Sequence, residues 1–217
     1  MHIVTLSFDD GFLTSNMKVA DIYEKYNLSA CFNVLATRAN ESFGDFKLWN
    51  ELQTRGHEIM PHGYRHANKS TLPLEQAQNL IADCLNIFES ELESFDAHRS
   101  VFNFPFNAST PELEDWLPTL VRAFRTAGGG LNPLPDRDTR KLTTTARGPG
   151  NCEGHLDKEI EGLLSVPSGW LIYNTHGLDE EGWGPIGADY LEDLLRRLVS
   201  IETVTVLPTG KVLDRYC

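Results

Sequence analysis

The stretch Met1-His2-Ile3-Val4-Thr5-Leu6-Ser7-Phe8-Asp9-Asp10-Gly11 decides how the rest of the chain is read. Residues 3–8 are a short run of β-branched and apolar types, the pattern of a buried strand, and Gly11 marks where that strand turns. Adjacent residues on a regular strand point to opposite faces. Asp9 and Asp10 therefore serve one site only if the chain bends there, and Gly11, which has no Cβ, permits the bend. A lone Asp-Asp-Gly is also an ordinary acidic turn, so its meaning depends on what other segments bring beside it.

Working outward, residues 15–26 place Val19, Ile22, Tyr23 and Tyr26 at helical spacing, with Lys18, Asp21, Glu24 and Lys25 left for water. A strand over 29–34 follows, then a helix over 48–54 ended by Gly56, a short strand at 58–60 and a long helix from 73 to 93. Residues 101–104 are a further strand; Thr110 is the N-cap of the next helix, with Pro111 in its first turn and Pro118 placed to kink or split it. Residues 125–154, rich in Gly, Pro, Thr and Arg, are expected to be mostly loop. A helix over 160–164, a strand over 170–174, a helix over 190–199 and a strand over 204–207 complete the chain. Such alternation predicts an α/β fold with a parallel sheet and crossover helices. Seven or eight β/α units within 217 residues point to closure, a distorted, TIM-like (β/α) barrel.

The length, with 41% hydrophobic and 23% charged residues, suits one catalytic domain spanning 1–217. Nineteen basic against 31 acidic residues give a net charge of −12, which opposes nucleic acid and anionic membrane and favours a neutral or cationic partner. No apolar run approaches the roughly 18 residues of a spanning helix. No basic segment and apolar run precede the first strand, and Cys31, Cys84, Cys152 and Cys217 lie far apart with no C-x-x-C spacing. A cytoplasmic chain with reduced thiols is the expectation.

Asp9-Asp10, His62, the segment 103–106 and His176 all fall at or just past the C-terminal end of a predicted strand, where β/α barrels gather their active sites. His62 and His66 stand four apart in Pro61-His62-Gly63-Tyr64-Arg65-His66, a spacing that puts two imidazoles on one side of a helical turn. Either histidine alone is as readily a core or surface residue. Joined by Asp10, they form a two-histidine, one-carboxylate set that leaves a tetrahedral divalent ion one open position, as in catalytic zinc sites. A dication so held acidifies water and polarises a carbonyl, both of which amide hydrolysis needs.

These segments resemble the polysaccharide deacetylase family, carbohydrate esterase family 4, with its NodB-homology domain. Ser7-Phe8-Asp9-Asp10-Gly11 is similar to the family's first motif, T/S-F-D-D-G, and His62-Gly63-Tyr64-Arg65-His66 to the second, H-S/T-x-x-H, with Gly63 in place of a hydroxyl residue. Asn103-Phe104-Pro105-Phe106 resembles the third, R-x-P-Y, with Asn103 for the arginine and Phe106 for the tyrosine. Leu171-Ile172-Tyr173-Asn174-Thr175-His176 resembles the last, a strand ending in a catalytic histidine. The resemblance implies a carbohydrate deacetylase with Zn²⁺, or another divalent metal such as Co²⁺, Ni²⁺ or Mn²⁺, on Asp10, His62 and His66. It further implies Asp9 as base, His176 as the acid that protonates the leaving group, and the backbone N–H of Phe106 as an oxyanion donor. In the family the third-motif arginine pairs with the base, so Asn103 leaves Asp9 without that cation unless Arg125 or Arg147 reaches in.

Two alternatives remain from sequence alone. One is an amidohydrolase of a small cyclic amide, imide or ureide; the other is a catalytically weakened binding relative, suggested by Asn103. In the Gly-rich segment 177–185, Trp183 is a candidate to stack on a sugar ring and Asp179 a candidate to orient His176.

Overall fold

The computed structural model describes residues 1–216; Cys217, one of the four thiols read from sequence, lies outside them. Strand β1 (His2–Asp10) is the spine of the molecule, buried on both faces until Asp10, as a central strand of a parallel sheet should be. It is followed by α1 (Leu13–Glu24), β2 (Cys31–Val34), α2 (Phe46–Thr54), β3 (Glu58–Pro61), α3 (Leu74–Glu91), β4 (Val101–Asn103) and α4 (Pro111–Trp116). Then come β5 (Ala123–Ala127), β6 (Lys141–Ala146), α5 (Cys152–Leu164), β7 (Gly169–Thr175), α6 (Ala188–Val199), β8 (Val204–Val206) and α7 (Thr209–Tyr216). Thr110 caps α4 by accepting the Leu113 N–H, and Pro118 sits in a 3₁₀ turn that ends it.

Seven parallel strands run in the order β3-β2-β1-β7-β6-β5-β4. The distortion has a local cause at β1. Strand β7 pairs along one edge from His2 to Phe8, whereas the other edge is divided between β8 at His2–Val4 and β2 at Ser7–Asp10. The path's two ends, β3 and β4, pack together without ladder pairing among the described residues. Side chains bridge this seam instead: Asn103 Nδ2 donates to the Pro61 carbonyl at 3.4 Å, and the Val101 N–H meets Met60 Sδ at 3.4 Å. The result is a nearly closed, distorted barrel.

Strand alternation sorts residues into two cores. Val4, Leu6, Phe8, Phe32, Phe102, Phe124 and Tyr173 face the helices. Ile3, Val101, Ala123, Leu142, Trp170 and Ile172 face inward, joined by Val212 and Leu213 of α7. Continuing each inward row toward the strands' C-terminal ends gives Ser7 and Asp9, Asn33, Asn103, Arg125 and Asn174, all buried. The barrel interior is thus apolar below and polar above, and the polar layer is the floor of the site.

The segment 125–154 corrects the expectation of loop: it holds most of β5, all of β6 and the start of α5, which begins at Cys152 rather than near residue 160. Cys31, Cys84 and Cys152 are buried free thiols. No helix among the described residues is long and apolar enough to cross a membrane.

Candidate metal centre and active site

Asp9 ends the inward row of β1, and its carboxylate is caged. Oδ1 accepts from Ser7 Oγ at 2.7 Å, Asn33 Nδ2 at 2.8 Å and Arg125 Nη1 at 3.1 Å; Oδ2 accepts from Asn174 Nδ2 at 2.9 Å and from Arg125 Nη2. Burial by itself would raise the carboxyl's pKa, but the Arg125 guanidinium and, less strongly, the nearby imidazoles hold it well below the usual carboxylate range.

Arg125 is fully buried and is the register partner of Asn103 across the parallel β4–β5 pair. The cation that the third motif lacks therefore arrives from the next strand, while Arg147 stays exposed. Besides bridging the seam, Asn103 serves the site: its carbonyl accepts from His62 Nδ1 at 3.0 Å, and its Nδ2 donates to Asn33 Oδ1 at 2.9 Å.

Asp10 belongs to the outward row by alternation, yet a left-handed backbone (φ 75°) at Asp10 followed by another at Gly11 (φ 91°) swings it into the site. The bend expected from Gly11 is shared with Asp10, a residue type that tolerates this region. His62 follows β3 directly. The stretch 62–66 is a bend rather than the helical turn expected from the spacing, because Gly63 (φ 105°) breaks any helical run. Its carbonyl and that of Tyr64 accept from Ala36 and Thr37 N–H groups, hanging the segment on the end of β2. His62 and His66 still meet, their ring centroids 5.5 Å apart.

Both Nε2 atoms lie 3.3 Å from Asp10 Oδ1, and the three ligand atoms fall within 4.8 Å of one another. Asp10 Oδ1 is buried with no hydrogen-bond partner among the described residues, an expensive state for a carboxylate oxygen that a cation relieves. Although burial alone would raise it, the two imidazoles lower the pKa of Asp10. Burial lowers that of His66, favouring the neutral imidazole that ligates metals. Two nitrogens and a carboxylate oxygen suit Zn²⁺ and its neighbours Co²⁺, Ni²⁺ and Mn²⁺.

A cleft of about 500 Å³ opens above this floor, reached by Asp9, Asp10, both histidines, Phe106, Asn174 and His176. Phe106 has a left-handed backbone (φ 59°, ψ 9°), strained for an aromatic residue; its exposed ring lies 4.3 Å from that of His66. Beyond β7, His176 has its Nδ1 buried and unpartnered among the described residues. Asp179 does not orient it, being engaged by Lys18 Nζ at 2.7 Å and the Ala188 N–H at 3.0 Å. Trp183 instead covers His176 edge-on at 5.6 Å. The residues that sequence missed are Ser7, Asn33 and Asn174. Their signal was a polar type at an inward position of an otherwise apolar strand, where it must find hydrogen-bond partners.

Barrel and site together place a candidate metal centre and the buried Asp9–Arg125 pair at the C-terminal face of a β/α barrel. A family model for polysaccharide deacetylase matches residues 1–117, and the chain belongs to that family. The fold is similar to that of a family 4 acetyl xylan esterase from Clostridium thermocellum in complex with a cobalt ion (22% identity, TM-score 0.68, 98% of this chain and 91% of the other). It is also similar to the peptidoglycan deacetylase PdaC from Bacillus subtilis (15%, 0.64, 98% and 90%) and to a putative polysaccharide deacetylase from Mycobacterium smegmatis (13%, 0.77, 99% and 89%). A comparison with curated proteins gives no match.

Proposed function

We propose that the chain removes an acetyl or similar acyl group from an N-acetylated or O-acetylated carbohydrate, with a divalent ion held by Asp10, His62 and His66. The observation that carries the proposal is the orphaned Asp10 Oδ1 facing both Nε2 atoms, on a floor that Asp9 and His176 also reach. When bound, such an ion supplies positive charge that acidifies a water and polarises the acyl carbonyl.

The remaining work falls to the chain's own groups. Asp9 takes the proton of the attacking water. Five donors on about four lone-pair sites hold it ionised and make it a weak base, so it takes that proton as one donor gives way and returns it to solvent after the products leave, while His176 regains a proton from solvent. The Phe106 N–H receives the developing oxyanion, and His176 protonates the departing nitrogen or oxygen. Trp183 and Phe106, 52% and 59% exposed, offer aromatic faces for a sugar ring. The net charge of −12 favours neutral or aminated sugars over acidic polymers.

Metal analysis of the purified protein, followed by acetate release from N-acetylglucosamine oligomers, O-acetylated xylan and a panel of cyclic amides, tests the proposal. Metal with acetate release is expected. Metal with ring opening alone would transfer the activity to small cyclic amides, and a metal-free protein inert on every substrate would refute catalysis. Within an active protein, Asp9→Asn and His176→Ala should each cut turnover by about 100-fold or more with metal content unchanged, whereas Asp10→Ala should lose the metal.

A further inference from the structure

The two histidines of the metal centre are braced unequally. His62 is fixed twice, by its N–H to the Val34 carbonyl at 2.9 Å and by its ring to the Asn103 carbonyl at 3.0 Å. His66 is 33% exposed, and apart from its approach to Asp10 its ring has only the aromatic contacts with Phe106 and His62 among the described residues. Its backbone is tied to the end of β2 on the N-terminal side through the Gly63 and Tyr64 carbonyls and is held on the other side through the residue after it. The Ala67 carbonyl accepts from Lys69 Nζ at 3.2 Å, and Lys69 is wholly buried with no carboxylate paired to it among the described residues. A buried ammonium with one carbonyl partner among the described residues is costly.

Lys69 also accounts for Gly63. A Cβ built on Gly63 would lie 2.8 Å from Lys69 Nζ, so the ammonium occupies the space that a side chain at 63 would fill. The hydroxyl residue expected at 63 from the family's second motif has been exchanged for a lysine reaching in from beneath.

We infer that Lys69 is the positioning residue of the metal centre: by holding the Ala67 carbonyl and packing against Gly63, it sets the place of His66 relative to His62 and Asp10. The inference rests on the metal reading proposed above. It distinguishes Lys69 from a residue that merely stabilises the fold. A near-isosteric apolar replacement would relieve the cost of the buried ammonium, leaving the metal-free protein as stable or more so, while loosening one ligand.

The test uses the full chain as wild type, Lys69→Met and Lys69→Gln, with Zn²⁺ affinity measured by chelator competition at fixed pH. Thermal unfolding of the metal-free proteins and the visible absorption of the Co²⁺-loaded ones are recorded alongside. Supporting outcomes are a Zn²⁺ dissociation constant raised about 10-fold or more in Lys69→Met, an altered Co²⁺ spectrum, and a metal-free midpoint no lower than wild type. Zn²⁺ affinity and Co²⁺ spectrum equal to wild type would overturn the inference while leaving the metal reading standing. Failure of both variants to fold without metal would also overturn it, because the lysine would then be holding the fold and not the ligand. A wild type that binds neither ion would instead remove the metal reading itself.

Discussion

At the scale of single residues, the Asp9–Arg125 pair sets the terms of the site. Both groups are buried in the upper layer of the barrel, where removing one partner strands the other charge. Arg125→Met should therefore destabilise the protein by about 3–5 kcal/mol, measured by denaturant unfolding, and Asp9→Asn in the same chain should recover part of that loss. Lys69 makes a separate prediction about pH. Burial pushes its ammonium down to about 8, below the roughly 10.4 of a free lysine. Between those values the unfolded chain binds the proton and the folded chain does not, so stability rises with pH across that window. Below pH 8 both forms are protonated and the folded state carries the full cost of burial. Unfolding from pH 7 to 10.5 should show wild type gaining on the order of 3 kcal/mol relative to Lys69→Met; parallel curves would contradict this.

At the scale of elements, the strands whose polar site residues fall near their C-terminal ends were legible, and those with polar residues at their centre were not. β1 and β7 announce themselves because Asp9 and Asn174 lie at their very ends. β5 places Arg125 at its centre, and β6 runs Thr143-Thr144-Thr145. In β5 the chemistry of the floor, and in β6 a run of threonines bonded to the 129–132 loop and to β7, dilute the alternation by which a strand is recognised. Helix α5 was read too short because Gly154 lies in its first turn, although the Asn151 side chain caps it by accepting the Gly154 N–H at 3.0 Å. The cluster of Asp10, His62 and His66 was legible as a motif, whereas the bend that aims Asp10 could be anticipated only in part from Gly11. The loop between β7 and α6 yields another prediction. Gly184 (φ 67°) is so close to the Arg147 carbonyl that a Cβ would approach it to 2.2 Å. Gly184→Ala should lift the loop and carry Trp183 off His176. The expected result is a fall in kcat/KM of roughly 10-fold with Tm lowered by a few degrees, read by steady-state kinetics, thermal unfolding and tryptophan fluorescence.

At the scale of the whole molecule, the barrel divides its labour along its axis. The apolar lower layer, closed by Val212 and Leu213 of α7, supplies burial, while the upper layer spends it on a concentrated group of charges. A ligand that binds only the folded form adds to stability by mass action. Zn²⁺ at a thousandfold excess over its dissociation constant should contribute about 4 kcal/mol, seen as a raised Tm that a chelator reverses and Asp10→Ala abolishes.

The register match of Asn103 with Arg125 bears on how relatives of this chain are judged. Neighbouring rungs of a parallel ladder aim their inward groups at a common target, so a guanidinium can pass from one rail to the adjacent one while its destination stays fixed. Sorting homologues into working and dead by the letter in one column would discard such chains. Asking which cation ends beside the aspartate in three dimensions would retain them.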